Sequence, residues 1–296
     1  MFKILPVYAI WLAWFATSVN VVITKLAVPY VTSALFLFFA CFIAVVCFRI
    51  YFGNSGEWEK LFRKDVWPKA LGMGTFGTAL PMTIFMIALN YTTPVNAAIA
   101  NQFEIIYSLI LTAILLKERP TLKQIGGSML ILLGVGMIIV EGGTSIQAKG
   151  DLMVIGCLWM YQISHIFAKK LPADLSPQAI AAARALYAMP ALGILCLCLA
   201  AFQGPLLFTW DSSTLWIVLL ASALVNYFLG NCFWYQAIRN MDLSKATAII
   251  LSYPVMTYIL SVLFGQDRVT FYKVLGMILA VGGAYIVTLL AKGAKK

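Results

Sequence analysis

Apolar stretches of about twenty residues recur along the whole 296-residue chain, and each is long enough for a helix to cross about 30 Å of hydrocarbon. In that solvent every backbone N–H and C=O must find its partner within the protein, which leaves helices as the natural spanning element for apolar runs of this length. The stretches cover residues 4–24, 31–52, 66–89, 94–116, 125–140, 152–168, 177–202, 215–238, 245–264 and 271–291. Hydrophobic residues make up 62% of the chain and charged residues 11%, against about 45–50% and about 25% for a soluble domain. The sequence therefore predicts an all-α membrane protein of ten transmembrane helices. The fifth and sixth stretches are the shortest and imply little tilt or a locally thinned bilayer.

The formal charge of +10 would point to nucleic acid if the basic residues shared one soluble face. They are instead scattered between apolar stretches, where a membrane protein's orientation signal accounts for them, so no nucleic-acid partner is expected. Sixteen of the 21 Lys and Arg residues fall at the two termini and in every second connection. The opposite connections hold Lys25, Lys149, Arg268 and Lys273, and Arg184 lies inside the seventh stretch. This bias places both termini in the cytoplasm, and the short termini fit a bacterial inner membrane. Trp67, Trp210 and Trp216 stand near stretch ends, as interfacial anchors do.

All six cysteines lie within apolar stretches, without CxxC or Cys/His spacing, and read as packing residues rather than metal ligands. The opening stretch is too long for a signal-peptide core and lacks a small-x-small cleavage site, so it reads as a retained first helix.

The chain also repeats itself. Setting Lys117-Glu118-Arg119 and Thr121 over Gln266-Asp267-Arg268 and Thr270 aligns Ile110 and Leu111 with Ile259 and Leu260. The same offset of 149 aligns Gly127 with Gly276, Leu130 with Leu279 and Gly134 with Gly283. Trp14 and Lys25-Leu26 align with Trp159 and Lys170-Leu171 at offset 145. Residues 1–145 and 146–296 thus form two five-helix halves, and an odd number of helices inverts the second half in the bilayer. Inverted halves meeting near the midplane are a recurring design of secondary transporters.

These residues resemble the drug/metabolite transporter superfamily, in particular its ten-helix EamA-like exporters, over essentially the whole chain. The resemblance rests on the Lys117-Glu118-Arg119 and Gln266-Asp267-Arg268 segments, the glycine-containing helices that follow them, Pro254, and Trp14 and Trp159. It implies an inverted two-fold bundle around a central cavity, with substrates among amino acids, related metabolites, amphipathic cations and drugs. Export as the direction of transport comes from the resemblance alone. Two departures mark divergence between the halves: Ile105 stands where Pro254 aligns, and Phe39 where Arg184 would have its counterpart.

An ionisable side chain at membrane depth costs roughly 2.5–3.5 kcal/mol on insertion scales, which makes Glu104, His165 and Arg184 the first site candidates. Glu104 would take a proton or a cationic substrate group; the alternative is a fixed pair with Arg184. His165 has the chemistry of a proton switch, but its proximity to Lys169 and Lys170 also suits the cytoplasmic interface. Arg184 would hold a substrate carboxylate bidentately or snorkel to headgroups.

Polar and aromatic residues complete the expected lining: Asn101 and Tyr107 around Glu104, Trp159 and Gln162 before His165, then Asn231, Trp234, Tyr235 and Tyr253. Asn101, Glu104 and Ser108 share one helix face. Hydrogen bonding between helices is the alternative role for each. Gly72, Gly74, Gly77 and the pairs at 126–127, 134–136 and 282–283 read as close helix contacts, and Pro81, Pro190 and Pro254 as kinks.

The functional expectation is a secondary active transporter of small amphipathic metabolites such as amino acids. Amphipathic organic cations or drugs are the alternative cargo, and a passive channel or lipid scramblase the alternative class. No Walker loop, HExxH or nucleophile–base motif occurs, so neither direct ATP use nor catalysis is expected. The expected partners are a small-molecule substrate and the lipid bilayer, with the chain as a monomer or homodimer; no cofactor is expected beyond proton coupling.

Overall fold

The structure, a computed structural model, describes residues 5–115, 121–141, 146–240, 249–250 and 252–287. The Lys117-Glu118-Arg119 segment, Lys245 and the lysines after position 287 lie outside the described residues. Helices account for nearly all that is described; among those residues extended pairing is confined to an isolated antiparallel bridge between Val31 and Phe208.

The helical rods are α1 (Pro6–Ala27), α2 (Ser33–Phe52), α3 (Trp67–Ala88), α4 (Pro94–Ala100 continued by Asn101–Phe103 and Glu104–Leu115), α5 (Leu122–Glu141) and α6 (Ile146–Lys169). They continue as α7 (Pro177–Gln203), α8 (Ser213–Ala221, Ser222–Gly230 and Asn231–Asn240), α9 (Tyr253–Leu263) and α10 (Phe271–Tyr285). Among the described residues six helices are long and apolar enough to cross a membrane, and three shorter apolar helices accompany them. Rods α5 and α6 have 20 and 24 residues and so exceed their apolar stretches. The surplus is polar: Lys123-Gln124 and Lys149 to Asp151 are helical as well.

Local chemistry starts these rods. Pro6, Pro94 and Pro177 occupy the first helical position, where a missing N–H is harmless. Side-chain oxygens of Thr93, Ser176, Ser212 and Thr270 each accept from the backbone N–H three residues on. Gly53 and Gly265 close α2 and α9 with φ of 50° and 67°, a conformation that L side chains avoid.

Small residues then bring backbones together. A Cβ on Gly134 would lie 2.5 Å from the Gly276 carbonyl oxygen, and one on Gly127 2.8 Å from that of Gly283. Rods α5 and α10 therefore cross antiparallel in direct backbone contact. Rod α3 is wedged between α6 and α7 in the same way, with Gly72 against Phe167 and Gly74 against Tyr187 and Ala188. Gly126, Gly136 and Gly282 face open space, so only one member of each expected glycine pair makes the contact. Pro190 lies within α7, whereas Pro254 sits in the first turn of α9, a position that does not kink a helix.

Two rods widen to π geometry, α3 at Thr75–Ala79 and α8 at Ser222–Gly230. Adding 149 to the first segment lands inside the second, as it carries Trp67 onto Trp216. Apolar side chains such as Ile194, Leu197 and Phe202 on α7 face outward, where lipid is their solvent.

Candidate functional site

The expected polar residues gather into two linked groups. In α4 the helix tightens at Asn101–Phe103 before resuming at Glu104. Glu104 Oε1 accepts a hydrogen bond from Gln162 Nε2 at 3.1 Å and lies 3.3 Å from His165 Nε2. Gln162 and His165 are three residues apart on α6 and so share a face. The Glu104 and His165 side chains are 25% and 47% exposed, and neither is sealed in the core. Among the described residues Glu104 is thus held by α6 rather than by Arg184, and the half-exposed His165 faces its carboxylate.

Around this pair, Tyr107 packs edge-on against Phe103 at 5.4 Å. The Tyr253 hydroxyl donates to the Ala98 carbonyl at 3.3 Å, and Asn101 and Glu104 are its polar neighbours. Gln102 is fully buried with neither amide atom partnered among the described residues, which leaves two hydrogen-bonding groups free beside Asn101.

Arg184 centres the second group. Its Nε donates to Thr78 Oγ1 at 2.9 Å, and a terminal nitrogen donates to the Gly77 carbonyl. Both partners belong to the π segment of α3, whose widened turn disturbs the usual backbone ladder. The guanidinium therefore faces the bundle and stabilises an irregular backbone, and headgroup snorkelling is set aside. Tyr161, Tyr227 and Tyr235 surround it, and the Tyr235 hydroxyl reaches Met73 Sδ at 3.8 Å.

Tyr161 connects the groups. It is buried, its hydroxyl reaches Met82 Sδ at 3.4 Å, and both Glu104 and Arg184 act on it electrostatically. Of the remaining expected residues, Trp159 is exposed on α6 and Trp234 is packed beside the cores. The Asn231 amide donates to the Tyr227 carbonyl of its own helix at 3.1 Å. None of these three touches Glu104 in any described interaction.

The EamA-like transporter family matches this sequence twice, over residues 4–140 and again over residues 148–289. The chain belongs to the EamA-like transporter family. Its relatives include the uncharacterized transporter YyaM of Bacillus subtilis, 24% identical over 81% of this chain and 78% of that protein. The protein LicB of Haemophilus influenzae is also 24% identical, over 91% of this chain and 90% of its own length. A solved crystal structure superposes with a TM-score of 0.68 at 18% identity, covering 97% of this chain and 98% of the other, which shows a shared fold.

This EamA-like chain also contains polar residues that the sequence reading passed over. Asp151 of α6 is buried and accepts from Thr92 and Asn96, and Lys273 pairs with Asp267 in its vicinity. The signal was the acid itself, placed directly before the apolar run that opens at Leu152. The apolar stretch was counted from Leu152, which left Asp151 among the loop charges.

Proposed function

We propose that this membrane transporter carries small zwitterionic molecules, amino acids first, by secondary active transport. The observation behind this is the placement of Glu104 and Arg184 as electrostatic neighbours of the same buried Tyr161. A carboxylate and a guanidinium that both act on one buried tyrosine suit a substrate bearing an ammonium and a carboxylate. The protein partners already on each charge hold it in place: Gln162 and His165 on one, Thr78 and Gly77 on the other.

Two inverted five-helix halves, residues 1–145 and 146–296, provide the alternating access. The crossed glycine contacts support them. The offset that equates Gly127 with Gly276 and Gly134 with Gly283 exchanges the Gly127–Gly283 contact with the Gly134–Gly276 contact, as a two-fold axis would. The double family match and the π segments at equivalent places point the same way. The charge bias orients both termini to the cytoplasm of a bacterial inner membrane, and Glu104 serves as the proton-accepting group in export.

The test is flux in proteoliposomes against a panel of amino acids and amines, with and without a pH gradient. Saturable exchange of zwitterions, driven by the gradient and weakened in Glu104→Gln, is the expected result. Flux that never saturates would make the chain a channel or scramblase. Exchange of amines with no response to amino acids would select the organic-cation reading, for which the partly exposed Glu104 carboxylate would be the cation's partner.

A further inference from the structure

At the end of the bundle where α6 and α8 finish and α7 begins lies a groove of about 270 Å³. Its walls include Leu171, Pro172 and Leu175 of the connection between α6 and α7, Ile180 of α7, and Tyr235 and Arg239 of α8. Pockets for drug-sized ligands run to roughly 300–1,000 Å³, so this one suits a smaller molecule. Among the described residues Arg239 is the charged member of an otherwise apolar and aromatic lining.

The groove leads toward Arg184. Ile180 and Arg184 are one turn apart on α7, Tyr235 and Arg239 one turn apart on α8, and these stretches of the two rods pack together. Tyr235 is only 7% exposed and borders the groove, while its hydroxyl reaches Met73 Sδ at 3.8 Å and acts on Arg184. The same tyrosine therefore belongs to the groove and to the surroundings of the buried guanidinium.

Arg239 is fixed in place by neutral partners. Its terminal nitrogens donate to the Leu175 carbonyl and, at 2.8 Å, to the Ala173 carbonyl, and no acid is among its described partners. Two bonds leave three of a guanidinium's five donors. Asp174, between those two carbonyls in sequence, is held by Arg63 at 2.5 Å, and Arg63 also holds Asp65 at 2.6 Å. Glu57 is occupied by Lys60 and the Ser176 N–H, and Lys170, next to Leu171, is exposed. A cation in the last turn of α8 also suits the helix dipole, but the dipole does not require an apolar groove beside it. A planar fork with free donors at the edge of an apolar groove matches a carboxylate on a short apolar body.

We propose that this groove binds a small amphipathic carboxylate, its apolar part against Leu171, Leu175 and Ile180 and its carboxylate on Arg239, as a station from which cargo passes Tyr235 to Arg184. In the orientation proposed above this is the cytoplasmic mouth, the side from which an exporter loads. Arg63 is a positioning residue here, because it keeps Asp174 from competing for Arg239. The onward passage rests on the zwitterion reading; binding at Arg239 does not.

Thermal unfolding of the full-length protein in phosphatidylcholine nanodiscs reads binding without a transport assay, since a ligand bound only to the folded state raises the midpoint. The probes are phenylacetate and hexanoate, with phenylacetamide as the uncharged control. Both carboxylates should raise the midpoint saturably, and phenylacetamide should not. Arg239→Gln should raise the half-maximal concentration roughly 10- to 100-fold, as expected for loss of a charged hydrogen bond. Arg63→Gln should also weaken binding by releasing Asp174 to Arg239, and adding Asp174→Asn should restore it. If Arg239→Gln does not fold, the Arg63→Gln and Asp174→Asn pair carries the test. No rise with either carboxylate, an equal rise with phenylacetamide, or unchanged binding in Arg239→Gln or in Arg63→Gln overturns the proposal. So does loss of the carboxylate response when phosphatidylglycerol is added, the mark of a lipid phosphate on Arg239. Failure here leaves flux through Glu104 and Arg184 to the exchange assay, and absence of zwitterion exchange leaves binding at Arg239 intact.

Discussion

Glu104 and His165 are 61 positions apart in sequence and 3.3 Å apart in space, on the same carboxylate oxygen that accepts from Gln162. The facing imidazole nitrogen can be donor or acceptor according to the tautomer, so the pair can share one hydrogen bond whichever of the two residues holds the proton.

Replacing Glu104 by Gln removes the charge while keeping the shape and the Gln162 contact. A charged hydrogen bond contributes about 1.5–3 kcal/mol, so substrate affinity in the exchange assay should fall roughly 10- to 100-fold. His165→Ala should leave affinity for a zwitterion closer to normal and flatten the response of flux to a pH gradient. Equal losses in both variants would mean the two residues act only as a structural pair.

Glycine contacts between α5 and α10 set a second expectation. Gly134→Val and Gly127→Val drive side chains into the backbone of α10, and overpacking of this kind costs about 1–3 kcal/mol. The unfolding midpoint should drop in both. Gly126→Ala and Gly136→Ala meet open space, and losing a helical glycine should stabilise by roughly 0.5–1 kcal/mol. The neighbouring glycines should thus give opposite signs.

Arg184 is expected to matter for folding as well as for transport. Arg184→Met leaves the Gly77 carbonyl and the Thr78 hydroxyl without their donor, and an unsatisfied buried group costs about 1–3 kcal/mol. Arg184→Lys should recover only part of the loss, because an ammonium does not reproduce the planar fork. Unfolding midpoints that match wild type in both variants would show that the π segment stands without the guanidinium.

At the end of the bundle where Arg239 lies, the connections outside the membrane carry a pH dependence. The Arg63 guanidinium, 2.6 Å from Asp65 and 2.5 Å from Asp174, holds the Asp65 carboxyl below the usual aspartate range. For Glu57, partial burial pushes upward, but hydrogen bonds from Lys60 and Ser176 outweigh it and leave the carboxyl lowered. Folded values below the unfolded ones mean that the contribution is complete above about pH 4–5 and is lost as pH falls through the folded values. Amide exchange in segments 55–66 and 172–178 should therefore stay slow at neutral pH and quicken upon acidification below about pH 4, with Asp65→Asn removing part of the change.

Much of the helical architecture was legible because lipid imposes a coarse rule: a run such as 177–202 has to be a helix whatever its neighbours are. The close contacts of Gly127, Gly134 and Gly283 were legible for the same reason. Polar pairing was less so. Glu104 stood out as an acid at membrane depth, but Gln162 and His165 became its partners only when α4 packed on α6. Arg184 hid its role more completely, since the carbonyl it holds is exposed by a π turn that no residue pattern announces. Asp151 was missed because hydropathy drops over the polar start of α6, although residues 146–151 are as helical as the rest.

The widened turns of α3 and α8 have a further meaning for the length of the chain. A helix advances about 100° per residue, so one surplus residue absorbed within 222–230 sets the azimuth of everything after it. Cutting a single residue from that segment would swivel Asn231–Asn240 by about a quarter turn while leaving Ser213–Ala221 in place. The face bearing Tyr235 would leave Arg184, and Trp234 would meet new neighbours. A one-residue insertion or deletion in either short window therefore re-aims every side chain beyond it on that rod at once.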